Sequence, residues 1–292
     1  MGEFPANVEL VVVAMESTPP PDLARVDMIL PAGTVRQPLL DLLQDGGRLR
    51  VIQTLSAGFE WLVGHVPEGV IVCNAKGVYD GPVAEWVVGA ILAMQRGLVR
   101  ARDAQTRGEW KDFEPDELAG RRVVILGMGS IGSAVAERLR PFGVELTGIA
   151  RTPRGDVRGF EDLDDVLPSA DILVNLLPVT SATTGLLDAV RLGLLPDGAL
   201  VVNAGRGSTI VTAALVDELE RGRLRAALDV TEPEPLPEGH ALWRLPNVLL
   251  TPHIAGNSDE GTERLFSFAG DQVRRFAAGQ PLRNEVPRYL LE

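Results

Sequence analysis

The chain is poor in three residue types that often carry chemistry. Cys73 is the only cysteine in 292 residues, so neither an intramolecular disulfide nor a cysteine-based zinc cluster can form. It lies in the apolar run Val70-Ile71-Val72-Cys73 and reads as a buried filler rather than a reactive thiol. Lysine is almost missing: of 28 basic residues only Lys76 and Lys111 are lysines, and we read the arginine excess as codon-usage bias. Few candidates remain for a catalytic lysine. Histidine is limited to His65, His240 and His253. No apolar run reaches the ~18 residues of a membrane-crossing helix, and no basic segment followed by an apolar one stands at the N-terminus. A cytoplasmic protein without a membrane partner is the expectation. A net charge of −12 disfavours nonspecific nucleic-acid binding but leaves room for a local basic pocket that takes a phosphate.

What is present is ordinary for a globular protein: 45% hydrophobic and 23% charged residues, and enough length for two domains. Apolar runs at 8–14, 49–54 and 70–73 read as buried strands, with helical pattern between them around 36–45. From Val83 to Arg100 the pattern is one long helix, continuing beyond Gly97 as a polar amphipathic stretch towards Trp110. Strands are predicted at 122–126, 144–150, 171–176, 199–203, 225–229 and 247–251. Helices are predicted at 133–140, 161–168, 184–194, 212–221 and 259–278, the last one packing back on the first domain. Such alternation predicts an α/β fold of parallel sheets. The proline-rich segment 231–239 reads as a rigid loop, and a domain hinge is placed near residue 97.

Between the strand at 122–126 and the helix that follows stands Gly127-Met128-Gly129-Ser130-Ile131-Gly132. A GxGxxG run alone is a turn in many proteins. A strand before it and a helix after it make it a dinucleotide-binding fingerprint. Gly127 serves the tight turn, Gly129 the approach of the pyrophosphate, and Gly132 the close helix–strand packing, with free N–H groups at the helix start facing the phosphates. An acid that would accept from a ribose 2′-hydroxyl is missing at the end of the next strand, where the sequence runs Ala150-Arg151-Thr152-Pro153-Arg154. Arg151, with the Thr152 hydroxyl and Arg154, suits a 2′-phosphate; Asp156 lies too far into the loop. NADP(H) is therefore the expected cofactor, with NAD as the alternative.

Three further residues form a series. Arg206 sits between glycines just past a strand, where a guanidinium fork can meet a planar carboxylate. Glu234, with Glu232 as a nearby rival, lies in the proline-rich loop, and His253 follows the strand at 247–251. Taken singly, each residue is as easily explained by the fold as by chemistry. Together they supply what reduction of a 2-keto acid needs. Arginine fixes the carboxylate and polarises the carbonyl, imidazole handles the proton, and a carboxylate beside an imidazole favours its charged form.

With these segments in place the chain resembles the D-isomer-specific 2-hydroxy-acid dehydrogenases. The resemblance rests on Gly127–Gly132, Asn175-Leu176-Leu177-Pro178 with Thr180 and Thr183, Asn203–Gly207, Asp229–Pro235 and Pro252–Gly256. It reaches the first domain through Leu55–Gly58, Asn74-Ala75 and Val83-Ala84-Glu85. It implies two Rossmann-like domains, with a cofactor domain (98–259) inserted into a discontinuous substrate domain (1–97 with 260–292) and an active site in the cleft between them. It implies Arg206 as carboxylate ligand, His253 as acid/base and Glu234, the glutamate followed by Pro235 and Leu236, as its partner. Backbone N–H groups at Ala57 and Gly58 would share the carboxylate, Asp229 would hold the nicotinamide carboxamide, and Pro178 would lie near the adenine. Thr183, Ala204 and Gly256 complete the implied cofactor contacts.

The Thr231, Pro233 and Arg151-Thr152 details look most like the glyoxylate/hydroxypyruvate reductase branch, which prefers NADPH. A small 2-keto or 2-hydroxy acid is then the substrate and a homodimer the expected assembly, with Trp110 as an interface residue. The chain is shorter than most members, in the first domain, which shapes the substrate pocket. Phe59 and Trp61 after the carboxylate loop either narrow that pocket or belong to the core. Two other readings stay open: a nucleotide-sensing regulator of the same fold, and a dehydrogenase for another small anion such as phosphite. Formate is disfavoured, because members acting on it carry glutamine where Glu234 stands.

Overall fold

A computed structural model describes residues 2–12, 25–31, 43 and 47–291. Its strands, in chain order, are β1 (Met28–Ile29), β2 (Val51–Gln53), β3 (Ile71–Cys73), β4 (Arg122–Leu126), β5 (Glu145–Ile149), β6 (Ile172–Asn175), β7 (Leu200–Asn203), β8 (Arg225–Leu228) and β9 (Val248–Leu250). The α-helices are α1 (Asp80–Gln95), α2 (Leu98–Thr106), α3 (Ser130–Leu139), α4 (Leu163–Val166), α5 (Ala189–Leu194), α6 (Thr212–Glu220) and α7 (Asp259–Ala277). All strand pairings are parallel, so the α/β class expected from the alternation is the one observed.

The chain divides into two compact units, Met1–Tyr79 with Ser258–Glu292, and Asp80–Asn257. The boundary thus falls before α1, not near residue 97. The physical reason is that α1 packs on α3 and on β7 of the second sheet. Gly97 does break the helix: it sits in the left-handed region at φ 65°, at the start of α2, and that break lies inside the second unit.

The second unit holds a six-stranded sheet in the order β5-β4-β6-β7-β8-β9. Strands β4, β6 and β7 are almost wholly buried, which is why they read as unbroken apolar runs: helices cover both faces of a parallel sheet. From β4 the chain moves outward to β5, where Arg158 adds a further parallel bridge beside Ile149. It then returns to β6 on the other side of β4. The direction of winding reverses there, and open α/β sheets bind ligands at the carboxyl ends of the strands at such a point.

The first unit holds the parallel sheet β1-β2-β3. Its other half comes from the end of the chain. Gln272 of α7 is fully buried; it donates to Gln53 Oε1 of β2 at 2.7 Å and accepts from the Arg283 N–H at 2.9 Å. Glu285 bridges Cys73 in antiparallel fashion, and the Val286 N–H donates to the Val72 carbonyl. Cys73 is buried, and desolvation, reinforced by Glu285, pushes its thiol up to about 12, as befits a filler. Phe59 and Trp61 pack partly buried against the core around Ile52, Leu62 and Val72.

One expectation fails. Residues 8–12 belong to no strand, and Leu10, Val11 and Val12 are exposed. An apolar run states a preference for burial but names no pairing partner, and the β1 edge pairs only with β2 among the described residues. Residues 13 and 14, and the helix expected around 36–45 apart from the helical, buried Leu43, lie outside the described residues.

Candidate active site

The fingerprint occupies the turn from β4 into α3. Gly127 has φ 102°, and a Cβ there would stand 2.9 Å from the Leu176 carbonyl oxygen. A Cβ on Gly132 would stand 2.3 Å from the Gly127 carbonyl oxygen. A Cβ on Gly129 would meet nothing within 4 Å. Two glycines are thus demanded by the protein's own packing, while the third leaves open space in front of the helix. Gly129 caps α3 without a side-chain hydrogen bond, so the first-turn N–H groups have no partner from the cap. An open cradle at a helix N-terminus fits a pyrophosphate.

Met128 folds its side chain over β5, where only a glycine, Gly148, leaves room for it. Arg151 and Thr152 are exposed at the carboxyl end of β5. Arg154 begins a tight turn closed by reciprocal backbone bonds with Val157, and its guanidinium donates to the Met128 carbonyl. After β6, Thr183 is buried; its hydroxyl donates to the Pro178 carbonyl at 2.6 Å and accepts from the Thr180 N–H at 2.8 Å. In this structure Thr183 builds the loop that presents Pro178.

The reacting residues follow three neighbouring strands. Arg206 lies past β7, Glu234 past β8 and His253 past β9, and the sheet order is β7-β8-β9. Ligand, acid partner and imidazole therefore stand on successive loops at one edge. Gly205 and Gly207 flank Arg206 for steric reasons. A Cβ at 205 would meet the Leu177 backbone at 2.7 Å, and one at 207 the Thr231 carbonyl oxygen at 2.0 Å. The Arg206 turn is thus wedged between the Pro178 loop and the loop that leads to Glu234.

Beneath Arg206 is a buried polar network. Its carbonyl accepts from Asn203 Nδ2 at 3.1 Å and from the Thr209 hydroxyl at 2.6 Å. Asn175 Nδ2 in turn donates to Asn203 Oδ1 at 3.0 Å and Thr209 Oγ1 at 2.6 Å. All three side chains are essentially inaccessible to solvent. The guanidinium itself donates to the Gly205 carbonyl at 2.8 Å. Ala204 closes its turn with an N–H donated to the Asn175 carbonyl.

Glu234 Oε1 lies 2.5 Å from His253 Nδ1, and both side chains are about half exposed. Glu232 faces the neighbouring loop through its carbonyl, which accepts from the Thr212 hydroxyl at 2.7 Å. His253 has φ 54°, a left-handed conformation uncommon for a residue with a Cβ. Asp229 holds the turn in that shape. Its Oδ1 accepts from the Thr251 hydroxyl at 2.5 Å and the Ile254 N–H at 2.9 Å, and its Oδ2 from the Ala255 N–H at 2.9 Å. The His253 N–H donates to the Asp229 carbonyl at 2.8 Å. Gly256 completes the tight turn that the Asn257 N–H closes onto the Ile254 carbonyl. Both oxygens of the Asp229 carboxylate thus serve the histidine turn. Neither that role nor the asparagine–threonine network is legible from the motifs, which give residue types but not who faces whom.

In the first unit, the carbonyls of Ser56, Ala57 and Gly58 are bound from within, by Thr54, Asn74 and Ser56 side chains respectively. A trans peptide points its C=O and N–H in opposite directions. The N–H groups of Ala57 and Gly58 accordingly face away from these internal partners, as an anion-binding loop requires.

Residues 88–255 match the family described as D-isomer specific 2-hydroxyacid dehydrogenase, NAD binding domain. The chain is 36% identical to the glyoxylate reductase of Thermofilum pendens over 260 residues, spanning 83% of this chain and 75% of that protein. A D-isomer specific 2-hydroxyacid dehydrogenase from Xanthobacter autotrophicus, solved with NADPH and MES, has a TM-score of 0.77 at 33% identity, covering 91% of this chain and 86% of the other. The NADPH-dependent glyoxylate/hydroxypyruvate reductase of Sinorhizobium meliloti, solved with NADP and sulfate, has a TM-score of 0.81 at 29% identity, covering 92% and 87%. The chain belongs to the D-isomer specific 2-hydroxyacid dehydrogenase family, whose members are NAD(P)-dependent oxidoreductases.

Proposed function

We propose that the protein reduces a small 2-keto acid of the glyoxylate/hydroxypyruvate type to the D-2-hydroxy acid, preferring NADPH to NADH. The observation that carries this reading is the succession of Arg206, Glu234 and His253 on the adjacent strand ends β7, β8 and β9, with Glu234 bonded to His253. Arg206 takes the substrate carboxylate in a two-pronged hydrogen bond and draws electron density from the neighbouring carbonyl. When bound, the reduced nicotinamide supplies the hydride that the carbonyl carbon receives. His253 gives its proton to the carbonyl oxygen, so that C=O becomes CH–OH, and Glu234 steadies the imidazolium beforehand. Half exposed, His253 regains a proton from solvent.

In the cradle, Gly127–Gly132 and the α3 N-terminus take the pyrophosphate. Pro178, Ala204 and Gly256 line the remainder, and Arg151 with Thr152 takes the 2′-phosphate. NADPH bound to one structural relative and NADP to another support the nucleotide preference, and glyoxylate reductase relatives support the substrate class. The same reading includes a homodimer, with Trp110, fully exposed on the segment after α2, proposed at its interface; light scattering of the purified protein tests it. No helix among the described residues is long and apolar enough to cross a membrane, in keeping with a cytoplasmic enzyme.

Initial rates of NADPH and NADH oxidation with glyoxylate, hydroxypyruvate, pyruvate and a bulkier 2-keto acid test the proposal. Turnover of the small acids with NADPH ahead of NADH is expected. Tight nucleotide binding without turnover of any acid would transfer the assignment to a nucleotide sensor or to a different anion.

A further inference from the structure

Two helices of the second unit begin side by side with polar residues that meet. Asp80 opens α1, Ser130 opens α3, and the Ser130 hydroxyl donates to Asp80 Oδ1 at 3.0 Å. The two helices pack against each other within the second unit. Both side chains are half-buried.

Ser130 belongs to the glycine-rich fingerprint and stands at the mouth of the cradle. We propose that Asp80 opposes the cofactor pyrophosphate through Ser130 and so keeps nucleotide affinity below what the cradle alone would give. The inference rests on the dinucleotide reading of that cradle. A serine hydroxyl has one proton to donate. In the structure that proton goes to the Asp80 carboxylate. A pyrophosphate oxygen arriving at the α3 N-terminus asks for the same proton, which the Asp80 carboxylate holds more firmly than a neutral acceptor would. Binding therefore exchanges the acceptor of the Ser130 proton, and release restores it. The effect belongs to the pyrophosphate and so weakens NADPH and NADH alike, unlike anything at Arg151, which separates the two. An oxidoreductase must let go of its nucleotide once per turnover, and a resident anion at the helix mouth favours that release.

The test is a fluorescence titration of the purified full-length protein with NADPH and with NADH. Asp80→Asn keeps the shape of the side chain but removes its charge. It is expected to lower both dissociation constants in parallel, by about three- to tenfold. In a Ser130→Ala background the same substitution is expected to gain less than about twofold. An unchanged or higher dissociation constant in Asp80→Asn overturns the proposal, provided the melting temperature is unchanged. Should Asp80→Asn lose stability, Asp80→Ser, which also removes the charge, carries the same expectation. An equal gain with and without Ser130 also overturns it, since charge alone would then account for the effect. Wild-type protein that binds neither nucleotide overturns the cradle reading itself, an outcome distinct from nucleotide binding that ignores Asp80.

Discussion

The turns that carry Arg206 and His253 are both fixed from beneath, but with opposite means. Under Arg206 lie two amides and a hydroxyl, Asn175, Asn203 and Thr209, all neutral and each satisfied by its neighbours. Under His253 lies a single buried carboxylate, Asp229, with both oxygens filled by the turn it holds. A neutral network positions by shape, and its members share the strain of losing one partner. A buried carboxylate works alone, and its loss leaves several donors without an acceptor at once. The histidine side should therefore be the more brittle of the two.

The largest effect should come from the ligand that the neutral network supports. Arg206→Ala is expected to lower kcat/KM for the keto acid by about a thousandfold, with NADPH binding unchanged by titration. Loss of nucleotide binding first would contradict its assignment to the substrate. Next comes Asp229→Asn. An amide NH2 set against N–H donors cannot keep the 251–255 turn, so we expect about 2–4 kcal/mol less stability and about a hundredfold lower kcat. A variant with native melting temperature and native kcat would refute the brittle-turn view. Glu234→Gln, at the exposed end of the same side, is expected to cost about tenfold in kcat and to alter the shape of the pH–rate profile for reduction. An unaltered profile removes Glu234 from its role. The smallest effect belongs to the neutral side. Thr209→Val takes an acceptor from buried Asn175 Nδ2 but leaves Asn203 on the Arg206 carbonyl, so KM for the keto acid should rise only about five- to tenfold, with kcat nearly native and about 1–2 kcal/mol of stability lost. Thr209→Ser should restore KM. If Thr209→Val proves as damaging as Asp229→Asn, the contrast between the two sides is wrong.

Much of the second unit is legible in the sequence for a simple reason. In a parallel sheet covered on both faces, the strands are the apolar runs, and β4, β6, β7, β8 and β9 each fall within one or two residues of their expected limits. The caps explain the helix ends that did shift. Asp188 accepts from the Arg191 N–H and starts α5 at Ala189, later than the apolar pattern from residue 184 suggests. At 161–168 the helix is only a four-residue α turn between two 3-10 segments. Residues 8–12 mislead because their pattern matches a strand whose partner no local rule supplies. In the site, positions carrying unusual types in unusual places, such as Arg206 between glycines, could be read directly. What Asp229, Asn203, Thr209 and Asp80 do could not, since it depends on contacts between segments 20 to 50 residues apart.

The way α7 and residues 284–286 complete the first sheet has a consequence for the order in which the molecule can be made. Residues 80–257 form one continuous compact unit, whereas the unit around β1–β3 needs Gln272, Glu285 and Val286 from the far end. During translation residues 80–257 can therefore finish folding while the unit around β1–β3 is still waiting, its sheet lacking helix and edge until residues 259–286 have been made.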